Sequence, residues 1–574
     1  MLNSTQKNNL TDKIAIFFLI GSLVFYFLLK LPFDLSVICN SANEGFYFIF
    51  GQSCQATYPN SSGLLFVLFY SMVLKFLGFG TGSIIFFHFF QTVLVISTAV
   101  ILYLLARQIL LSNFFSSLVI LFWILIQITP IGYWGQVLEC TSAFSLDAEY
   151  FCVFFSISSL YCLLLSLKDN SAGKIQNYNL SIFSGIFAAF STMFKASGTI
   201  LVIAVVCWLI YLILLQRRLI NDIKYNLLFF LVGFISMILF FSVIIFLMYG
   251  NLFSYWIDYY FVGSYSREFL KSFQSFALQL LGFMTRFTFS LSNFVLFFCA
   301  FLCYIWGLIR IFFIKSSKSS FDFFIPLLSI WSLGNVCVII APGDYASYYY
   351  TLVWPSVAFF LVFGIRDLLV YIKIPDKKFL KIVISSLVII FFIQRLITVT
   401  PTYIDLIKNR IYLNIFFQKE SFEDSIKLTT LNRNPNRDGA LKMPDLINYF
   451  LPDKNDTFYV LNFTKGHTLF GPNIYIYAKR PPPTTIVSDF LHYPKYINKV
   501  MGDLIKELEQ APPRLFIIPA NIDRPLQVGQ SITPFFEWFD LFLKQNYHKR
   551  LSFSFDYKFS KKEAIQTYFI FERN

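Results

Sequence analysis

The chain has 574 residues, of which 57% are hydrophobic, 20% aromatic and only 14% charged. That balance excludes an ordinary soluble globule as the body of the protein. Its formal charge of +14 does not indicate a nucleic-acid binder, because no soluble segment carries a basic stripe with interleaved aromatics. In a membrane protein a basic excess first records topology and contact with anionic lipid.

Apolar runs recur from Ile14 to Ile397, many near the roughly 20 residues needed to cross a hydrocarbon core of roughly 30 Å. They predict spans at 14–31, 84–105, 114–130, 149–167, 180–194, 198–215, 227–248, 288–309, 322–341, 346–365 and 380–397. The first run leads into further spans and lacks a small-residue cleavage site, so it reads as a retained span rather than a signal peptide. A twelfth apolar stretch, 63–79, decides the topology. If it crosses, the basic loops fall opposite Lys7 and Lys13. If it lies along the membrane, one cytoplasmic side collects Arg107, Lys168, Lys174, Arg217, Arg218, Lys224, Arg310, Lys315, Lys318, Arg366 and Lys373 to Lys381. The positive-inside rule selects the second arrangement. It makes 63–79 a juxtamembrane helix beside about eleven crossings.

The exterior face then holds three loops (32–82, 131–148 and 249–287), the turn Ala341 to Tyr345 and the tail. Loops over one end of a helical bundle roof a cavity, which is where a site acting on lipid-borne substrates is expected. The third loop is rich in aromatics (Tyr255, Trp256, Tyr259, Tyr260, Tyr265), a composition that suits an interfacial belt. The domain division is a transmembrane part at 1–397 and a soluble exterior part at 398–574. The tail alternates strand-like pieces (457–463, 515–519, 567–571) with a helix-like run at 496–510, which suits a small α/β layer. It has no Gly-rich phosphate loop, no metal-spaced cluster and no Gly-x-Ser-x-Gly elbow. His467 and His492 stand alone, so the tail reads as a lid or an acceptor-binding module.

Exterior acids are Asp34, Glu44, Glu139, Asp147, Glu149, Asp258, Glu268 and Asp344. Most loop acids are merely solvated. Asp147 and Glu149 sit where a span enters lipid, and ionisable groups there usually pair or act. Lys195 occupies the hinge between two spans, where it either holds a phosphate or snorkels. Cys39 and Cys54 share the first exterior loop and are expected to form a disulfide in an oxidising setting.

Several segments follow a familiar order: Asn43-Glu44-Gly45-Phe46-Tyr47, then Tyr58-Pro59 to Gly63 leading into Lys75-Phe76-Leu77-Gly78, then Asp147-Ala148-Glu149, Phe194-Lys195-Ala196-Ser197-Gly198, and Tyr348-Tyr349-Tyr350 to Pro355. In this order the whole chain resembles the GT-C glycosyltransferases, the group that includes protein O-mannosyltransferases and lipid A aminoarabinose transferases. Two departures stand out. The leading acid of the first motif is Asn43 here, and the Lys-Pro-Pro of the aminoarabinose transferases is absent.

The resemblance implies a polytopic α-helical membrane protein with a GT-C-like architecture. It also implies transfer of a hexosyl or pentosyl group, with inversion, from a polyprenyl-phosphate sugar to an exterior lipid, glycan or protein. Glu44 is then the base, with Asp34 as a substitute, and Asp147 and Glu149 orient substrate or bind a divalent cation. Lys195, Arg267 and Lys271 contact phosphate, and Tyr47, Tyr348 and Tyr349 contact substrate. The expected setting is a bacterial inner membrane with the active site outside, and no nucleic-acid partner. Two other readings stand beside it: a transporter or flippase of lipid-linked glycans, against which the spans show no matched pair of broken helices, and a non-catalytic assembly scaffold. Convergence of Glu44, Asp147 and Lys195 in one exterior cavity would favour the enzyme.

Overall fold

The computed structural model describes residues 63–77, 81–127, 148–171, 178–215, 217–261, 324–340, 351–371, 438–461, 497–519, 533–559 and 562–574, with isolated positions at 19–24, 302–306 and 475–484. Contacts divide the chain into two compact units: Met1–Leu31, Ser61–Leu65 and Phe90–Ile404 form one, and Pro32–Asn60, Phe66–Phe89 and Asp405–Asn574 the other.

In chain order the first helices are α1 (Leu64–Leu77), α2 (Thr81–Leu110), α3 (Asn113–Gln127), α4 (Ala148–Ser171), α5 (Tyr178–Phe194), α6 (Thr199–Leu215), α7 (Arg217–Tyr249), α8 (Leu252–Phe261), α9 (Ile325–Ile340) and α10 (Trp354–Tyr371). Among the described residues, four stretches are long and apolar enough to span a bilayer: Phe89–Leu110, Ala148–Leu167, Ala196–Ile213 and Lys224–Met248. This is a multi-pass helical membrane protein. The spans predicted at 14–31, 288–309 and 380–397 fall largely outside the described residues. At about 1.5 Å per residue α1 reaches only about 21 Å, less than a hydrocarbon core. Two boundaries differ from expectation. The basic stretch from Arg217 to Lys224 is the first turns of α7 rather than a loop, because Arg, Lys and Leu are good helix formers and the helix continues past the apolar zone. The span predicted to end at 365 continues as helix to Tyr371, and Pro355 lies in the first turn of α10, where its missing N–H costs nothing.

Helix direction follows from side-chain register. Ser159 bonds Ser184, Ser191 bonds the Cys152 carbonyl, and Phe151 stacks on Phe194 at 4.4 Å, so α4 and α5 are antiparallel. Asn226 reaches Ser181, Tyr178 lies on Phe229 and Phe190 meets Phe241, so α5 and α7 are parallel. A parallel pair needs an intervening return, which α6 supplies. The starts of α4 and α6 and the ends of α5 and α7 therefore gather at one end of the bundle. Glycines let α5 and α7 touch backbone to backbone: a Cβ on Gly185 would sit 2.0 Å from the Phe230 carbonyl oxygen, and one on Gly233 2.2 Å from that of Ile182. Small residues at a helix contact serve this purpose in lipid. The outer face of α7 exposes Ile235, Leu239, Val243, Phe246 and Leu247, as a lipid-facing surface requires.

The C-terminal residues form α11 (Asp438–Phe450), β1 (Phe458–Val460), α12 (Ile497–Gln510), β2 (Leu515–Pro519), α13 (Thr533–Asn546), β3 (Tyr547–Phe559) and β4 (Lys562–Arg573). The sheet order is β1-β2-β4-β3, with β1 and β2 parallel and the other pairs antiparallel. Leu515, Phe516 and Ile517 are fully buried, with the Phe516 ring edge-on to Phe539 at 5.2 Å and Tyr547 at 4.9 Å. Leu504 and Leu508, one turn apart on α12, are buried while its other faces carry charge. The buried Arg480 guanidinium donates to the carbonyls of Leu451, Asp453 and Asp456 and to Asn448 Oδ1, gathering the turn after α11.

Candidate functional site

The gathered end of the bundle brings two of the expected residues into contact. Glu149 lies in the first turn of α4, where its charge complements the helix N-terminus. Lys195 lies in the break between α5 and α6, where one extended residue (φ −153°, ψ 138°) is followed by a single 3₁₀ turn, Ala196–Gly198. Lys195 Nζ is 2.8 Å from Glu149 Oε1, with the two side chains 8% and 1% exposed. That oxygen has no well-directed hydrogen bond, so the contact is an ion pair held by distance and burial. Lys195 therefore does not snorkel to water, one of the two roles weighed for it.

The helix ends that carry the pair are packed through aromatic rings. Phe151 and Phe194, each two residues or fewer from the charges, stack 9° from parallel. Phe90 stacks on Phe151 at 5.8 Å, and Phe155 on Phe194 at 5.4 Å. Beneath lies a small polar knot, in which the Cys152 thiol is 3.2 Å from Ser191 Oγ and 3.8 Å from Ser197 Oγ, and Ser191 Oγ is 2.9 Å from Ser156 Oγ. Two charges so enclosed are stable only together, since an unpaired ion in an apolar interior is expensive.

Two further elements meet the same turn. The Gly63 amide, just before α1, donates to the Phe194 carbonyl at 2.9 Å, satisfying one of the carbonyls left open at the end of α5. A Cβ on Gly63 would lie 1.7 Å from the Met193 carbonyl oxygen, so only glycine fits. On the other side, α7 ends at Gly250 in the left-handed region (φ +69°) and the chain turns into α8. There the Tyr260 hydroxyl is 2.8 Å from Thr199 Oγ1, the first residue of α6.

Three of the five sequence motifs thus contribute to one place: Ala148-Glu149, Phe194 to Gly198 and Gly63. Glu44, Tyr47, Asp147, Arg267, Lys271, Tyr348 and Tyr349 lie outside the described residues, as do Asn43, Cys39, Cys54, His467 and His492. Cys152, Cys162, Cys207 and Cys337 are free thiols. Among the described residues no three His, Cys, Asp or Glu side chains converge as a metal set. The Thr199–Tyr260 bond and the Gly63 contact escaped sequence reasoning, because neither has a local signal. Each joins segments distant in the chain.

No family model matches the chain, and neither does any curated protein. Among solved structures it is similar to the archaeal oligosaccharyltransferase AglB from Archaeoglobus fulgidus in complex with an inhibitory peptide and a dolichol-phosphate, at 12% identity over 95% of this chain and 74% of that one, with a TM-score of 0.47. It is also similar to ArnT from Cupriavidus metallidurans bound to undecaprenyl phosphate, at 10% identity over 96% and 97% of the two chains, with a TM-score of 0.49. At such distances the likeness transfers no residue role to this chain.

Proposed function

We propose that the protein is a membrane glycosyltransferase that moves a sugar from a polyprenyl-phosphate carrier to an acceptor at the exterior membrane face. The observation that carries this reading is the buried Glu149–Lys195 pair at the end of the helical bundle where α4 and α6 begin and α5 and α7 finish. Intramembrane ionisable groups are retained chiefly where they act on a substrate or ion. The GT-C-like motif order supports it, since three of those motif segments meet at this pair. Eleven spans, the division at 397/398, an exterior tail and a bacterial inner membrane belong to the same reading.

The chemistry needs few groups. The acceptor hydroxyl attacks the anomeric carbon as the bond to the phosphate oxygen breaks, and the phosphate leaves on its lipid. Glu44 takes the hydroxyl proton. Lys195, Arg267 and Lys271 stabilise the negative charge on the departing phosphate, and Tyr47, Tyr348 and Tyr349 position the substrates. Glu149 holds Lys195 in place through their ion pair, and Asp147, two residues earlier in the sequence, serves an orienting role.

Purified protein incubated with labelled polyprenyl-phosphate sugars should release free polyprenyl phosphate and label an acceptor. Glu44→Gln should lower turnover by about 10²–10⁴-fold with donor binding kept. Carrier movement across a vesicle membrane without bond cleavage would instead assign a flippase.

A further inference from the structure

Two side chains, one on α9 and one just before α10, are buried without using their hydrogen-bonding capacity. Asn335 is 2% and Thr351 1% exposed, yet Asn335 Nδ2 and Thr351 Oγ1 have no hydrogen-bond partner. Buried polar groups are almost always paired, and each exception has a physical reason, a ligand among them. The place of these two in the fold points to one. The Phe324 ring, just before α9, is edge-on to Trp208 at 6.1 Å, and a Cβ on Gly334 would lie 2.5 Å from Ile200 Cγ2. Accordingly α9 runs antiparallel to α6, and Gly334 puts the backbone of Asn335 next to the first turn of α6, directly after the Lys195–Gly198 turn.

Thr351 falls at the same end. Ser332 Oγ donates to Ser356 Oγ at 2.7 Å, which fixes the start of α10 one turn from Asn335. Phe90 on Phe151 sets the first part of α2 at the gathered end of the bundle. The next helix, α3, returns after a two-residue turn, and its 15 residues reach about 22 Å against about 45 Å for the 30 of α2. It therefore occupies the half remote from that end. Because α10 packs along α3, it runs from Ser356 away from the gathered end. Thr351, earlier in the chain, then lies with Asn335 on the gathered-end side of the Ser332–Ser356 contact.

An amide that donates and a hydroxyl that both donates and accepts, each uncharged, complement the hydroxyls of a sugar rather than a phosphate, which draws cations. An internal water satisfies the same kind of atoms, and it yields to a ligand hydroxyl that reproduces its bonds. We propose that Asn335 and Thr351 bind hydroxyl groups of the sugar on the lipid-phosphate donor, whose phosphate lies at the Lys195 turn on the adjoining helix end. This rests on the glycosyltransferase reading and adds to it two residues that recognise the sugar itself.

Asn335→Leu and Thr351→Val remove the polar atoms at nearly constant volume. Side chains kept for a ligand make no stabilising bond in the free protein, so both variants should melt no earlier than the parent. On the full-length protein in nanodiscs, polyprenyl-phosphate mannose, glucose and galactose are compared with bare polyprenyl phosphate. Each variant should weaken the sugar lipid that the parent binds by about tenfold and leave the bare lipid unchanged. Thr351→Ser, which keeps the hydroxyl, should retain the parent's preference. Unchanged affinity for sugar-bearing and bare lipid alike would leave these atoms to an internal water only, and an earlier melt with equal loss of both would make them structural. Either result overturns the subsite while the glycosyltransferase reading stands. A parent protein that binds none of these lipids would overturn that reading, and the subsite with it.

Discussion

Glu149→Gln removes one charge of the buried pair, leaves the volume nearly unchanged and replaces one acceptor oxygen with a donor NH₂. At 2.8 Å the attraction lost is about 6 kcal/mol for an effective dielectric constant of about 20. Much of that offsets the desolvation of both ions, so the net loss from a single substitution is about 3–5 kcal/mol, the usual cost of a buried charge left without its partner. Lys195 is then left buried without its counter-ion beside the stacked Phe151–Phe194 rings. The expected result in detergent is an earlier thermal inactivation and a weakened affinity for lipid phosphate. Lys195→Met alone should destabilise by a similar amount. The double variant Glu149→Gln with Lys195→Met should regain much of the stability and none of the phosphate affinity, because no ion is then buried without its partner. Additive destabilisation in the double variant would refute the coupling, and full phosphate affinity in Lys195→Met would remove Lys195 from the site.

Gly63→Ala should detach the start of α1 from the Phe194 carbonyl. The added methyl cannot be accommodated at 1.7 Å from backbone, so a loss of at least about 1–3 kcal/mol is expected, visible as faster proteolysis at the 58–63 segment. Arg480→Met leaves the carbonyls of Leu451, Asp453 and Asp456 without their shared donor. At about 1–3 kcal/mol for a buried acceptor left unsatisfied, hydrogen exchange after α11 should rise while exchange in α4 to α7 stays unchanged. Cysteine probes placed near Arg217 should label only from the cytoplasmic side, whereas labelling from the exterior alone would show that 63–79 crosses the bilayer.

The helices of the bundle were legible because lipid imposes a length and a composition that single residues cannot override. The predicted spans at 149–167, 198–215 and 227–248 fall within or nearly coincide with Ala148–Leu167, Ala196–Ile213 and Lys224–Met248. Boundaries governed by polar helix formers, as at Arg217, were less legible, since propensity continues where hydropathy stops. In the tail, strands expected at 457–463 and 515–519 correspond to β1 and β2. The long β3–β4 hairpin was signalled only by 567–571, because charged residues interrupt its apolar alternation.

The sequence by itself determined that Glu149 and Lys195 stand at span ends, since an acid beside a long apolar run and a lysine between two of them have few other places to go. It left the function of that lysine open between phosphate contact and snorkelling. Only the tertiary structure decided that the two charges meet, buried, where the ends of α4 and α5 pack through Phe151 and Phe194. Their pairing depends on the antiparallel register of α4 and α5, which the Ser159–Ser184 and Cys152–Ser191 contacts set. Register between helices is chosen by side-chain complementarity across the interface, and no periodicity along one chain segment encodes it.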